Sequence, residues 1–315
     1  MRKSGAFTVT CVALSFMASI GTADAGEGGG SNLMLGGTTF QTPVFPETGF
    51  YYSNYINYYH ASRLNDGDGN NVVPDLSLNA VVDYNQFVYV TPFELGDMKF
   101  AVGAVVPLAT VRQDAGGVTS RETGLADILI QPLIVGWEQG NFHVAFVQGV
   151  FLPTGQYDPN SQVNIGRNTW AYQPQLSLGY IDPQGWEATA TLSYVTNSKN
   201  KDAMISLLNP TGADYRSGNE LGIDFAVGYN FTPNFEIGLT GYYYKQLSDD
   251  KISDPASNQA LQDFANGLRG QVAAIGIGAR YLTSFGEFYA HVDREFAARN
   301  RTQGTSAWIR WNIAF

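Results

Sequence analysis

The sequence predicts an all-β protein: a transmembrane, antiparallel, up-and-down barrel of about twelve strands that follows a cleaved signal peptide. Three observations predict this fold. Apolar and polar residues alternate along many short segments, the connections between these segments are alternately short and long, and the last segment ends on an aromatic residue. Beyond the leader a membrane-spanning helix is excluded, because no run approaches the roughly 18 to 20 apolar residues that such a helix needs.

Residues 1–25 have the parts of a secretory signal peptide. Two basic residues come first, an apolar run follows from Ala6 to Ile20, and the small residues Ala23 and Ala25 stand just before Gly26. We therefore expect export and a mature chain that starts near Gly26.

Composition excludes several classes of function. The lone cysteine, Cys11, lies inside the apolar run of the leader, so the mature chain has no disulfide, thiol nucleophile or thiolate metal site. A formal net charge of −10 argues against nucleic acid or anionic lipid as a partner. With 35 glycines and 15% charged residues, the composition suits a sheet protein with many short strands.

The segment 26–48 precedes the first predicted strand. It is rich in glycine and then contains Pro43 and Pro46. We expect it to lie in or under the lumen as a partial plug, and residues 49–315 to form the barrel.

Alternation with a period of two is clearest from Glu220 to Phe231, where every second residue from Leu221 onwards is apolar. Similar segments recur along the chain, the first and third only weakly alternating. They predict strands at 49–61, 76–90, 99–111, 124–137, 141–152, 169–181, 186–196, 217–231, 235–246, 268–282, 287–296 and 305–315.

The predicted connections separate by length. Those at 91–98, 138–140, 182–185, 232–234 and 283–286 are short, whereas those at 62–75, 112–123, 153–168, 197–216 and 247–267 are long. Short turns at one rim and long loops at the other are typical of a Gram-negative outer-membrane barrel with both termini in the periplasm. Outer-membrane lipid is then the surrounding partner.

Aromatic residues mark the ends of the predicted strands. The chain stops on Phe315 after a strand of alternating pattern, which resembles the signal that the barrel-assembly machinery recognises. Beside the short turns, four further aromatic residues would form part of an inner aromatic girdle: Tyr180, Trp186, Tyr229 and Phe235.

Three prolines lie within predicted strands: Pro107, Pro132 and Pro174. Each removes one hydrogen bond from the strand ladder, so we expect bulges or strand ends there.

Charged side chains on the polar faces should point into the lumen, since a charge facing lipid near the midplane is costly. Each can belong to a structural network or contact a ligand, and the pattern leaves both open. The candidate lumen residues are Asp83, Asp127, His143, Glu187, Asp224, Glu236, Arg280, His291 and Arg310.

The sequence offers no catalytic, cofactor or metal motif: G-x-S-x-G, Walker A, H-E-x-x-H and a complete G-x-G-x-x-G are all missing. The three histidines, His60, His143 and His291, fall on three separate predicted strands. We therefore predict a protein that is not an enzyme.

Several motifs resemble one family. They include Gly124-Leu125-Ala126-Asp127, the run 153–158, the run 164–170, the run 214–221 and Arg299-Asn300-Arg301. In this combination the chain, from about Pro46 to Phe315, is similar to the family named for the MetA pathway of phenol degradation. The resemblance implies an outer-membrane transporter linked to uptake of aromatic or other hydrophobic compounds. It implies neither a substrate nor a catalytic residue.

The chain departs from the family pattern at Ala126, where glycine is usual, and in an extended loop at 199–210. Most of the motifs lie where strands meet long loops, the position of a gate or an entry site. The candidate gate or ligand residues at this rim are Arg167, Tyr215, Arg216, Tyr243, Arg299 and Arg301.

The sequence leaves three functions open. The first is a channel for a small hydrophobic or aromatic solute. The second is a structural or adhesive barrel with a blocked lumen. The third is an outer-membrane hydrolase, which would need one of the histidines beside a serine.

Overall fold

The computed structural model describes residues 26–265 and 268–315, so the predicted signal peptide at 1–25 lies outside the described residues. The described chain forms one closed antiparallel barrel. In chain order the strands are β1 (Gly49–Asn65), β2 (Ser77–Leu95), β3 (Met98–Ala115), β4 (Val118–Leu125), β5 (Leu129–Gln139), β6 (Phe142–Phe151), β7 (Ala171–Ile181), β8 (Trp186–Asn197), β9 (Tyr215–Arg216), β10 (Glu220–Thr232), β11 (Phe235–Gln246), β12 (Lys251–Ile252), β13 (Gln271–Thr283), β14 (Gly286–Arg299) and β15 (Arg301–Ala314).

The wall has twelve strand positions, as predicted, because β4 and β5 share one position. Both pair with β3, β4 along its second half and β5 along its first. The barrel closes where β1 pairs with β15, from Tyr51 opposite Ala314 to Asn65 opposite Arg301. The two-residue strands β9 and β12 pair with each other outside the wall.

The two rims differ as the sequence predicts. Tight turns such as Gly96-Asp97 and Gly140-Asn141 lie at one end, which we call the short-turn rim. The start of β1 and the end of β15 lie at this rim too, where Phe315 N donates to Phe50 O over 3.0 Å. The loops at 152–170, 198–219 and 247–270 lie at the opposite end, the long-loop rim. The last loop carries helix α1 (Pro255–Ala265). Among the described helices, none is long and apolar enough to cross a membrane.

Alternate side chains face opposite sides of the wall. In β8, Trp186 is 63% exposed and its neighbour Glu187 is fully buried. The outward face is apolar and has aromatic pairs near the short-turn rim, including Trp186 with Tyr229 at a ring distance of 5.3 Å. An apolar outside and a polar inside are the arrangement that a lipid bilayer requires.

At the long-loop rim, two regions predicted as connections are extensions of the neighbouring strands. The region 112–123, predicted as a long loop, is a hairpin of β3 and β4 that turns at Gly116-Gly117. The region between 296 and 305 is a tight turn at Asn300. Here the strands continue beyond the lipid, where both faces contact water and alternation of polarity no longer reveals a strand.

The three prolines coincide with faults in the ladder. Pro132 lies at a register shift between β5 and β6, and Pro107 lies opposite the break between β4 and β5. Pro174 pairs with Gln148 on one side but has no partner in the ladder towards β8. The prediction of a bulge is thus correct at Pro132, and the other two prolines lie at gaps.

Candidate functional site

The lumen contains residues 26–48, which we call the lumen segment. The segment begins at the long-loop rim, where Gly26 N donates to Asp250 Oδ2 over 3.0 Å. It ends at the short-turn rim, where Lys99 Nζ lies 3.2 Å from Glu47 Oε1 and β1 begins at Gly49. The segment therefore runs through the barrel from one rim to the other.

Glu27 anchors the upper part of the lumen segment. Its carboxylate accepts hydrogen bonds from Met204 N at 2.6 Å, Asn200 Nδ2 at 2.8 Å and Tyr157 Oη at 3.0 Å. Arg167 Nη1 donates to the Glu27 carbonyl oxygen at 3.0 Å. Burial raises the pKa of Glu27 and of Tyr157, because it disfavours the charged form of each group.

Asp224, on β10, holds the middle of the segment. Its carboxylate accepts from Gly36 N at 3.0 Å, Thr38 N at 3.1 Å and Thr38 Oγ1 at 2.6 Å. Gly36 has φ +79°, a left-handed conformation that glycine adopts without strain. Without that conformation its amide could not point at Asp224 here.

The lower part is held by groups on opposite walls. Glu187 Oε1 accepts from Gln41 N at 2.7 Å, and Arg310 Nη2 donates to Phe40 O at 2.8 Å. The Phe40 ring is 1% exposed and lies against Gly228 and Gly278, where a Cβ would come within 3.0 Å of it. Absence of side chains at these two wall positions makes room for the ring.

Charged groups below Phe40 form a network. Arg280 Nε lies 3.2 Å from Glu236 Oε2, and Arg280 Nη1 lies 2.9 Å from Glu287 Oε1. The Arg310 guanidinium lies 3.4 Å from the centre of the Tyr289 ring. Opposite charges and an aromatic face thus compensate these buried cations.

A cavity of about 250 Å³ lies beside the upper half of the lumen segment, and we call it the outer cavity. Four aromatic side chains line it: Tyr59, Tyr84, Tyr242 and Trp308. The rings of Tyr84 and Trp308 are stacked, 5.8 Å apart at 22°. Leu33 and Leu35 of the lumen segment complete its apolar lining.

Arg301 gives the outer cavity a positive charge. Its guanidinium is buried and lies 4.1 Å from the centre of the Tyr244 ring. Its Nε and Nη1 have no hydrogen-bond partner among the residues that the structure describes. The cavity is therefore bordered by a cationic side chain that has two unsatisfied buried donors.

A second cavity, the inner cavity, has a volume of about 460 Å³ and lies beside the lower half of the segment. Phe45 of the segment lines it with Val88, Ile134 and Val147 of the wall. A smaller space of about 70 Å³ lies between the two, lined by Gln86, Gln131 and Gln175. The cavities follow one side of the lumen segment from rim to rim.

The structure places eight of the nine candidate lumen residues inside the wall. Three of them bind the lumen segment through the hydrogen bonds described above: Glu187, Asp224 and Arg310. The Glu236 carboxylate and the Phe40 ring both lie against Gly228. Arg280 joins them through Glu236. His291 is stacked on Trp308 at 6.2 Å, and His143 Nδ1 lies 3.6 Å from Glu138 near the short-turn rim. Asp127 is buried but binds a loop, accepting from Gly155 N and Arg167 N.

The lumen prediction for Asp83 is wrong. Asp83 pairs with Ile56 on β1 and Leu108 on β3, which are 42% and 50% exposed on the outward face. Its neighbour Tyr84 points inward instead. The carboxylate is compensated on the outer wall by the Asn54 amide and by Asn85 Nδ2.

The six candidate rim residues divide into two groups. Arg167, Tyr215 and Arg301 point inward, around the top of the lumen segment. The other three do not converge there. Arg216 is exposed and its Nε donates to Asn197 O, Arg299 is exposed at the end of β14, and Tyr243 alternates with the buried Tyr242 and Tyr244 and faces outward.

The aromatic lining of the outer cavity was not predicted from the sequence. A signal was present: Trp308 lies in phase with Arg310, and Tyr242 lies in phase with Glu236, so both share the inward face of their strand. In β2 the polar residues Asp83 and Asn85 indicated the wrong inward face, since they point outward and Tyr84 points inward. The histidines occupy different places, His60 on the outer wall with Asn79 at 3.0 Å.

Comparisons with known proteins agree with this fold. The family model described as "Putative MetA-pathway of phenol degradation" matches residues 61–311. The crystal structure of the COG4313 outer membrane channel from Pseudomonas putida F1 is similar with a TM-score of 0.75 and 14% identity, covering 86% of this chain and 97% of that one. The β domain of the Bordetella autotransporter BrkA gives a TM-score of 0.49 at 12% identity, with 85% and 100% covered. No curated protein matches the sequence.

Proposed function

The chain belongs to the MetA-pathway of phenol degradation family, and from that premise we propose that it is an outer-membrane channel for small aromatic or other hydrophobic compounds. The outer cavity carries this proposal. Its aromatic walls offer ring faces for stacking, and the guanidinium of Arg301 offers a positive charge to a phenolic oxygen or a carboxylate.

The size of the cavity suits such a solute. A buried apolar cavity of about 150 Å³ takes up benzene, and the outer cavity measures about 250 Å³. A substituted benzene therefore has room, whereas a folded peptide or an oligosaccharide does not. Carboxylates with Arg280 and Arg310 would set the polarity of the passage below.

The lumen segment acts as a partial plug in this proposal. It separates the outer from the inner cavity at Leu33–Thr38, where only the small space between them remains. Passage then requires this stretch to move. Arg167, Tyr215 and Arg301 surround the upper end of the segment and form the gate region.

Uptake of radiolabelled phenol and benzoate into liposomes tests the proposal. We expect uptake by Trp308→Ala and by Arg301→Gln to rise linearly with solute concentration instead of saturating. Trp308→Ala removes the stacking surface, and Arg301→Gln removes the cationic group. Trp311→Ala is the matched control, since Trp311 alternates with the inward-facing Arg310 and is stacked on the outward Phe288. Equal uptake by all variants, each a folded barrel, would reject the cavity as a solute site.

One observation favours a second function, a barrel with a blocked lumen that serves a structural or adhesive role. The lumen segment crosses the whole lumen and is hydrogen-bonded at three levels. Planar-bilayer recordings without conductance, together with liposomes that take up no solute, would favour this function over the channel.

A further inference from the structure

Asp250 is a buried carboxylate that lacks a cation. It follows β11, is fully buried, and accepts hydrogen bonds from Tyr215 Oη at 2.6 Å, Gly218 N at 2.6 Å and Gln246 Nε2 at 2.8 Å. All of these donors are neutral. No ion pair formed within the described residues includes Asp250, and burial raises its pKa to about 7.

The fourth donor to Asp250 is Gly26 N, at 3.0 Å in a buried contact. Gly26 is the residue that follows the small-residue pair Ala23 and Ala25, the predicted end of the leader. Its φ of +78° and the carbonyl oxygen of Gly30, which would lie 2.6 Å from a Cβ, leave space only for glycine. The carboxylate thus meets the chain at the atom that cleavage would turn into an amine.

We propose that Asp250 is the binding site for the α-ammonium group of the mature chain. Hydrolysis of the bond between Ala25 and Gly26 would place the hydroxyl of water on the Ala25 carbonyl carbon and a hydrogen on Gly26 N. The resulting amine takes a proton from solvent, since the ordinary pKa of an α-amino group is about 7.7–8.0. A neutral amide at Asp250 is thereby replaced by a cation.

Pairing changes the energetics of the buried carboxylate. An uncompensated charge is costly in a buried site, and an ammonium group within hydrogen-bond distance offsets that cost. The other titratable groups around Asp250 cannot offset its charge. Tyr215, Tyr244 and Glu220 lie nearby, and Glu27 follows Gly26 in the chain. These groups are acids, so the α-ammonium supplies the compensating charge.

The site links processing of the leader to seating of the lumen segment. Before cleavage Gly26 presents one N–H and no charge, and afterwards it presents a full positive charge to Asp250. Glu27 is anchored in the same place by three further donors. Removal of the leader therefore strengthens the contact that fixes the upper end of the segment, whatever solute the channel takes.

Reactivity of the α-amine in the purified, folded barrel tests the site. An aldehyde selective for N-terminal amines is added over a range of pH, and modification of the N-terminal peptide is followed by mass spectrometry. We expect Asp250→Asn to react about tenfold faster than the unchanged protein near pH 7, since the amine is no longer held as an ammonium ion. Asp249→Asn is the control, because the adjacent Asp249 instead pairs with Arg269 at 2.6 Å.

The pH profile separates pairing from simple burial. In the unchanged protein the midpoint of reactivity should lie above the ordinary value of about 8, and in Asp250→Asn it should fall back towards it. A second variant has Gly-Ser inserted before Gly26, which moves the N-terminal amine away from Asp250. Its amine should react fast although Asp250 itself is unchanged. Equal rates and midpoints in all four proteins, or a mature chain that starts elsewhere than Gly26, would overturn the proposal.

Discussion

Asp224 holds the middle of the lumen segment through two amides and one hydroxyl. Each hydrogen bond to a charged group contributes about 1.5–3 kcal/mol. We predict that Asp224→Ala loosens the segment and raises both the frequency and the size of conducting events in planar bilayers. Glu94→Ala is the control, since Glu94 is exposed near the short-turn rim. Recordings that match those of the unchanged protein would show that Asp224 does not restrain the passage.

Asp83 has a different consequence, because it faces outward between two apolar strands. A charge on the lipid face costs free energy, by somewhat less for Asp than the roughly 2–4 kcal/mol found for Arg or Lys. We predict that Asp83→Leu raises the free energy of unfolding by about 1–2 kcal/mol. Urea unfolding in lipid vesicles measures this, with Asp97→Leu in an exposed turn as the comparison. A loss of stability would mean that the hydrogen bonds from Asn54 and Asn85 outweigh the cost of the charge on the lipid face.

At the scale of elements, the break between β4 and β5 determines how a loop is held. Asp127 lies in this break and accepts from Gly155 N at 2.9 Å and Arg167 N at 2.8 Å. The two glycines of the loop, Gly155 and Gly166, touch so closely that a Cβ on either would lie within 2.6 Å of the other. The Asp127 carboxylate and the glycine contact therefore close the loop 153–168, together with the bonds that Tyr157 and Arg167 make to Glu27.

We predict that Asp127→Ala opens this loop. Loss of two charge-assisted hydrogen bonds, about 3 kcal/mol together, should make tryptic cleavage after Arg167 about tenfold faster or more. The readout is the rate at which the barrel is cut at this one bond. Asp158→Ala is the matched control, because Asp158 binds only within its own exposed turn, at Asn160 N and Asn160 Nδ2. Unchanged cleavage in Asp127→Ala would show that the glycine contact and the bonds to Glu27 close the loop without Asp127.

Strands were predictable from sequence where they contact lipid on one side. Alternation predicted twelve strand positions, the first and third only weakly, since a period of two places most apolar side chains on the lipid face. The hairpin of β3 and β4 was missed because it extends into water, where polarity no longer alternates. The path of the lumen segment was only partly predictable: its glycines and prolines exclude a strand, but its partners lie on distant strands such as β8 and β10.

The candidate site shows the same limit. Charged lumen residues such as Glu187 follow from the cost of charge in lipid, whereas Trp308 and Tyr84 look like lipid-facing aromatics until the inward phase of each strand is known. The prediction that Asp83 faces the lumen was wrong for the converse reason, because a charge can face outward where polar neighbours bind it. Asn54 and Asn85 compensate its charge on the outer wall, and these partners come from two strands.

At the scale of the whole molecule, closure depends on the pairing of the first and last strands. Phe315 is 77% exposed, and its ring lies 6.0 Å from that of Phe50. A ring this exposed adds little to the stability of the folded barrel. We predict that Phe315→Ala lowers the yield of assembled barrel in cells several-fold while leaving the melting temperature of the purified protein nearly unchanged. Trp311→Ala, which removes a ring from the same strand, separates the end position from general aromatic content; equal yields would remove Phe315 as an assembly signal.

The direction of the lumen segment has a topological consequence. The sheet begins and ends at the short-turn rim, which faces the periplasm in an outer-membrane barrel, yet Gly26 lies at the long-loop rim. The first residue of the lumen segment therefore lies at the rim opposite the start of β1, although the segment belongs to no strand of the wall. The wall surrounds this segment along its length, so assembly of the protein includes the placing of an internal thread as well as the pairing of strands.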